Sequence, residues 1–99
     1  MRRRVSIEPA VVYFKPAGVP MRTLEEVIVK VEELEALRLA NIEGLSQNDC
    51  AKKMNISQPT FHRMLECANK KISDAIVNGK AIRIEGGNFE ILKQGGLKK

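Results

Sequence analysis

Residues 45–65 read LSQNDCAKKMNISQPTFHRML and contain two helix starts separated by a single turn. Ser46, with Asp49 three residues later, approaches a capping box and predicts a helix that runs through Met54. Asn55 follows where the chain must turn, and Asn tolerates the left-handed conformation better than any residue except Gly. This break excludes one long helix and requires two shorter helices that meet at an angle.

The second helix is predicted to begin at Ser57, which can act as another N-cap, and to run to about Val77. Pro59 lies in its first turn, where the missing N–H costs little, and Asn78 and Gly79 end it. Its apolar residues recur every three or four positions, which indicates a stripe that faces the core. They are Phe61, Met64, Leu65, Ala68, Ile72, Ala75 and Ile76.

Two helices joined by a tight turn at a steep angle form a helix-turn-helix, which exposes the second helix far enough to enter a DNA major groove. The motif requires a small residue where the helices cross, and Ala51 occupies that position. Apolar residues must flank the turn and close the core. These are Cys50, Met54, Ile56, Phe61 and Met64. A helical hairpin without this function can show the same pattern by chance, but here both caps, the turn and the stripe agree.

Upstream of this pair, residues 32–44 (EELEALRLANIEG) predict one further helix. Leu34, Leu37 and Ala40 share one face, and acidic residues occupy the first turn, where the helix dipole favours negative charge. Gly44 ends the helix. The acidic side chains of this segment are a candidate surface for a protein partner.

Short strands are predicted on either side of the helices. The apolar VVYF at 11–14 and the β-branched VIVKV at 27–31 read as strands. The sequence IRIEGGNFEIL alternates on both sides of Gly86 and Gly87, as in a β-hairpin. We therefore expect a mainly α fold with short β-strands or a β-hairpin at its edges.

The 99 residues are enough for one compact domain. We divide the chain into a basic arm with a Pro/Gly segment over residues 1–22, a helix-turn-helix domain with flanking short strands over 23–92, and a disordered tail over 93–99. Within the first part, residues 1–8 form the arm.

The formal net charge of +5 is unevenly distributed. Residues 1–22 contain five basic and one acidic side chain, residues 23–43 contain two and six, and residues 44–83 contain seven and three. The predicted helix-turn-helix thus lies in a basic block, which suits a polyanionic partner or an acidic membrane surface.

Other features narrow the class of protein. No apolar run approaches the roughly 18 residues of a membrane span, and we expect a cytoplasmic protein without a membrane partner. Cys50 and Cys67 are interpreted as buried, reduced thiols, with a redox or disulfide role as the alternative. The chain has one His, no phosphate-binding Gly loop and no carboxylate pair beside a nucleophile, so we expect no enzyme activity, no metal and no cofactor.

Parts of the sequence resemble known families. The stretch ALRLANIEGLSQNDCAKKMNISQPTFHRMLECANKKI resembles region 4 of bacterial sigma factors, whose helix-turn-helix reads the promoter. The chain from RRVSIEPAVVYFKPAGVP through GKAIRIEGGNFE is more similar to domain-of-unknown-function family 134, uncharacterised prokaryotic proteins described as predicted DNA-binding proteins. These resemblances imply a sigma-region-4-like helix-turn-helix core. In family 134 we expect a small residue after Phe61, but this chain has His62 at that position. Its base preference can therefore differ from that of the family.

Helix geometry turns a polar face of the second helix away from the core. This face carries Gln58, His62, Arg63, Glu66 and Lys70. Gln58 and Arg63 can make bidentate contacts to adenine and guanine, and His62 can donate to a base acceptor or a phosphate. For Glu66 we favour a helix ion pair with Lys70 over a contact to cytosine.

Further residues are candidates for contact with the DNA backbone. Ser57, Thr60 and Gln47 sit at or near helix N-termini, where phosphate binds well. Three lysines either add phosphate contacts or form an ordinary solvated face. They are Lys52, Lys53 and Lys71.

The arginines Arg2, Arg3 and Arg4 either lie in the adjacent minor groove or form an untethered solubilising tail.

The expected partner is double-stranded DNA, which points to transcriptional regulation. A homodimer and a contact with RNA polymerase are further partners that the pattern leaves open. The alternative function is a protein interaction module that contacts the transcription machinery.

Overall fold

The structure, a computed structural model, describes residues 3–5, 13–86 and 89–91, with side chains over 13–86. This part of the chain is mainly helical with short strands. In chain order the elements are β1 (Arg3–Val5), β2 (Tyr13–Phe14), β3 (Glu26–Lys30), α1 (Val31–Leu37), α2 (Gln47–Met54), α3 (Gln58–Asn78), β4 (Ala81–Glu85) and β5 (Phe89–Ile91). A 3-10 turn at Met21–Thr23 precedes β3, and a π-helical segment at Arg38–Ile42 continues α1.

The sheet that supports the helices has β4 at its centre. Strand β2 pairs with β4 in antiparallel orientation, and β3 pairs with it in parallel, so that Val29 lies opposite Ile84. The expectation of a β-hairpin across Gly86 and Gly87 is wrong. Both edges of β4 already carry backbone hydrogen bonds to strands that precede the helices, and β5 pairs instead with β1 in parallel.

The expectation of a basic arm over residues 1–8 also differs from the structure. Arg3–Val5 form strand β1, whose backbone pairs with β5 and lies near α1 and α2. The reason is backbone pairing, which a charged sequence does not prevent. Arg2 and the predicted tail over 93–99 lie outside the described residues.

The core forms where α1, α2 and α3 pack on one another and on the sheet. Its buried members are Val31, Ala36, Leu39, Cys50, Ala51, Met54, Phe61 and Ile84. Burial of the fully enclosed Phe61 side chain contributes roughly 1.5–3 kcal/mol. The predicted stripe of α3 is confirmed at Ala68 and Ala75 but is wrong at Ile76, which is 73% exposed because it lies a further 100° around the helix from Ala75.

The two cysteines occupy different environments. Cys50 is fully buried, and this burial raises the pKa of its thiol, which confirms the expected core position. The same expectation is wrong for Cys67, which is exposed on α3. Within the described residues, no helix combines the length and the apolar character needed to cross a membrane.

The acidic residues of α1 are buried and structural. Glu32, Glu33 and Glu35 are only 5%, 6% and 3% exposed. Glu33 accepts a hydrogen bond from the Lys30 backbone N–H at 2.9 Å, which caps the start of α1, and Glu35 pairs with Arg38 at 3.0 Å. The segment 32–43 therefore presents little of its acidic character to a protein partner, contrary to the expectation from its composition.

One ion pair joins α1 to α3. The Lys71 ammonium donates to Glu33 Oε1 at 2.8 Å and to Oε2 at 3.2 Å. Burial raises the pKa of Glu33, but hydrogen bonds from Lys71 and the Lys30 backbone, together with the charge of Lys71, outweigh it and hold this pKa below its ordinary value. Lys71 thus takes part in a structural ion pair and is more than an ordinary solvated residue, and its contact with phosphate stays a prediction.

Replacing Ala51 with Leu should overpack the contact between α2 and α3 and reduce the free energy of unfolding by roughly 1–3 kcal/mol. Ala51 is 2% exposed and belongs to the core, so the added carbons have no free space. Chemical denaturation measures the effect. Lys52→Leu on the neighbouring exposed position is the control and should change stability by only a few tenths of a kcal/mol. If Ala51→Leu and the wild-type protein are equally stable, Ala51 does not lie where α2 and α3 cross.

Lys71→Met should destabilise the protein by about 2 kcal/mol at neutral pH, because it removes charge-assisted hydrogen bonds to a buried carboxylate. The pKa of Glu33 is lower in the folded state, so this stabilisation is present above the ordinary carboxyl pKa and is lost as pH falls through the folded value. The cost of Lys71→Met should therefore shrink in acid. Denaturant melts at several pH values test this, and Lys70→Met, on an exposed lysine, is the control. A cost independent of pH would rule out the pair as its source.

Candidate nucleic-acid interface

The starts of α2 and α3 are fixed by serine caps, as the sequence predicts. The hydroxyl of Ser46 accepts from the Asp49 backbone N–H at 3.1 Å, and that of Ser57 accepts from the Thr60 backbone N–H at 3.3 Å. Ser57 also donates to the Thr60 hydroxyl at 2.9 Å. These bonds satisfy donors that a helix start leaves unpaired and define where each N-terminus points.

The turn between the helices is held by a left-handed residue. Asn55 has φ 61° and ψ 45°, and no other non-glycine residue of the described chain has positive φ. The Ile56 backbone N–H donates to the Ala51 carbonyl at 3.0 Å, and the Asn55 N–H donates to Lys52 at 3.1 Å, so the last carbonyls of α2 are paired. The predicted turn is confirmed, and α3 begins two residues after it.

Burial of one face of α3 turns the expected polar face outward. Phe61 and Ala68 are fully buried, whereas the side chains expected to face outward are exposed. They are Gln58, His62, Arg63, Glu66 and Lys70. The ion pairs of the described residues do not include Glu66 with Lys70, so the favoured helix pair is absent from this structure. Both side chains remain available on the surface.

A side-chain hydrogen bond connects α2 to α3 at this surface. Gln47, half-buried in the first turn of α2, places Oε1 at 3.2 Å from His62 Nδ1. Both residues were expected to contact DNA separately, Gln47 at phosphate and His62 at a base acceptor or a phosphate. The structure brings them together, and no local sequence signal connects two residues 15 positions apart.

Cationic side chains are exposed on both helices. Arg63 extends from α3 and its Nη2 reaches Thr60 Oγ1 at 3.5 Å, and among the described residues its guanidinium has no ion pair. Lys52 and Lys53 are exposed on α2. Lys70 is twelve residues beyond Gln58, about 18 Å along the helix axis, so it lies outside the reach of a ligand edge bound at the start of α3.

The arrangement presents polar donors and acceptors flanked by positive charge. Gln58 and Arg63 are exposed on α3 and have side chains that can make two hydrogen bonds in a plane, and Lys52 and Lys53 are exposed on α2 and take no part in the ion pairs of the described residues. Arg3 and Arg4 contribute backbone to β1, and Arg2 and the side chains of the expected arm lie outside the described part of the chain, so a contact of the arm with DNA stays a prediction. Over the described residues, no cluster of three or more His, Cys, Asp or Glu side chains could hold a metal ion.

The chain matches the sequence profile of a family described as "Protein of unknown function DUF134" over residues 1–92. It is similar to a UPF0251 protein of Caldanaerobacter subterraneus subsp. tengcongensis, with 58% identity over 89 residues, which are 90% of this chain and 75% of that protein. A UPF0251 protein of Moorella thermoacetica is 59% identical over 91% of this chain and 60% of its own length. A UPF0251 protein of Thermoanaerobacter sp. is 55% identical over 93% of this chain and 81% of its own length.

No solved structure matches the chain. The match spans only 60% of the Moorella protein, and the names of these relatives state no activity, ligand or partner. The resemblance inferred from the chain between RRVSIEPAVVYFKPAGVP and GKAIRIEGGNFE is confirmed, because the family profile covers residues 1–92. The chain belongs to the protein family of unknown function DUF134.

Proposed function

We propose that this protein binds double-stranded DNA at specific sequences through α2 and α3, and that it acts as a transcriptional regulator. The observation that carries the proposal is the exposed polar face at the start of α3, held in place by a buried apolar face and a left-handed turn. An exposed α-helix with polar side chains fits the width of the B-DNA major groove. In this proposal α2–turn–α3 is a sigma-region-4-like helix-turn-helix, with α3 as its recognition helix.

Roles for the individual side chains follow from their chemistry. Gln58 and Arg63 are proposed to read adenine and guanine edges, because an amide and a guanidinium can each make two hydrogen bonds in a plane. Lys52 and Lys53 are proposed to neutralise phosphates. The capped starts of α2 and α3 offer backbone N–H groups to the same strand, since a helix N-terminus favours anions.

The charge distribution supports this assignment. Residues 44–83 carry seven basic and three acidic side chains, but Lys71, Lys80 and Arg83 are engaged in ion pairs with Glu33, Asp74 and Glu85. Lys52, Lys53, Arg63 and Lys70 take no part in the ion pairs found among the described residues. The positive charge left unpaired in this block therefore lies on α2 and the outward face of α3. A cytoplasmic location follows from the proposal, since the protein must reach the chromosome.

A protein interaction module is the alternative function. Ile76 and Val77 are 73% and 79% exposed at the end of α3, far from the proposed DNA-reading residues, and such residues favour a protein contact. RNA polymerase and a second copy of the chain are the partners considered for this surface. The acidic residues of α1 no longer support this alternative, since three of them are buried.

Selection of bound duplexes from a random DNA pool tests the proposed function. A reproducible motif would support sequence-specific binding, and a palindromic motif would identify a dimer with two half-sites. Binding that is weak and equal for all sequences would contradict the proposal and favour the interaction module.

Arg63→Ala should weaken binding to the preferred site by about 1–3 kcal/mol and binding to random DNA much less, because it removes a bidentate contact to one base. Titrations on one specific and one random duplex measure both quantities. If the preference for the selected site survives in Arg63→Ala, the helix that starts at Gln58 does not read the sequence through this residue.

Replacing Lys52 and Lys53 together with Ala should weaken binding to both duplexes by the same factor. The slope of log affinity against log salt concentration should flatten by about 2 units, because two phosphate contacts are lost. The same titrations at several salt concentrations measure it. An unchanged slope would show that these lysines form only a solvated face.

A further inference from the structure

The contact between Gln47 and His62 favours one of the two neutral tautomers of the His62 ring. The Gln47 atom that faces the ring is the carbonyl Oε1, 3.2 Å from Nδ1. A carbonyl oxygen only accepts hydrogen bonds, so this contact is a hydrogen bond when Nδ1 carries the proton. In a neutral imidazole the other nitrogen, Nε2, is then an acceptor.

We propose that His62, oriented by Gln47, accepts a hydrogen bond at Nε2 from the amino group of a DNA base; this rests on the DNA-binding function proposed above. In the major groove, adenine N6 and cytosine N4 carry such amino donors, whereas guanine O6 and thymine O4 are acceptors. His62 therefore selects A or C over G or T at one position of one strand. The sequence alone suggested the opposite role, in which His62 donates.

The position of the pair fits this role. His62 is exposed, and it follows the fully buried Phe61, so the backbone that carries it is fixed by the core. It lies one turn after Gln58, on the side of α3 that faces the start of α2. The carbonyl of Gln47 is used by the ring, which makes Gln47 a positioning residue for His62 in addition to its proposed place near phosphate.

The protonation state can be measured without DNA. The chain contains one histidine, so the 15N resonances of its ring are assigned directly. When the ring is neutral, we expect its proton on Nδ1. Gln47→Leu removes the acceptor and should shift the proton towards Nε2, whereas the matched control Asn48→Leu, on the same turn of α2, should not. A wild-type ring protonated mainly on Nε2 overturns the inference and leaves the proposed DNA binding intact.

The base preference is measured on a duplex obtained by selection. Each adenine is replaced in turn by the purine analogue without the 6-amino group, and each cytosine by the pyrimidinone analogue without the 4-amino group. At one position we expect wild-type affinity to fall about five- to tenfold, the effect of one hydrogen bond. His62→Ala should bind the original and modified duplexes alike. Gln47→Leu should lose most of the difference, and Asn48→Leu should keep it.

The outcomes separate the two proposals. If removal of each amino group weakens binding of the wild type and of His62→Ala by the same factor, the role of His62 is overturned. Sequence-specific binding then still stands. A base pair at which His62→Ala changes the preference, but removal of the amino group does not, also overturns the role of His62. If no preferred site emerges from the pool, the inference and the proposed function both fail.

Discussion

The left-handed backbone at Asn55 is the constraint on which the placement of every candidate contact depends. It ends α2, pairs the last carbonyls of that helix and lets α3 begin after only two residues. Because both helices then close on the same core through Met54 and Phe61, α3 cannot rotate without exposing a fully buried aromatic ring. The outward side chains are therefore positioned by the burial of their inward neighbours, and they need few contacts of their own.

Charge serves two separate purposes in this chain. In α1, buried carboxylates form ion pairs with Lys71 and Arg38. The pair with Lys71 joins α1 to α3. On α2 and the outer face of α3, the lysines and Arg63 remain in water and without carboxylate partners among the described residues. The net charge of the chain is consequently a poor guide to its partners. A better guide is which cationic side chains form ion pairs within the protein and which do not.

The features predicted well from sequence depend on residues within one or two turns of each other. The caps at Ser46 and Ser57, the turn at Asn55 and the exposure of the candidate reading residues follow from helix periodicity and local hydrogen bonding. The features missed depend on distant partners: the pairing of β4, the burial of Glu33 against Lys71, and the contact of Gln47 with His62. Exposure of Cys67 was missed because periodicity predicts a helix face but not which other elements cover it.

The parallel pairing of β3 with β4 has a consequence for how the chain folds. All three helices lie between these neighbouring strands in the sequence, so the sheet forms only when a long loop closes. Contacts between α2 and α3 join residues that are close in sequence, whereas this pairing joins strands on either side of all three helices, so we expect it to form late and to limit the folding rate. Strand β2 pairs with the same central strand, β4. Detachment of β4 therefore breaks its pairing with both β2 and β3, the strands that precede the helices. Amide exchange should accordingly show the three strands opening as one cooperative unit, distinct from the helix pair.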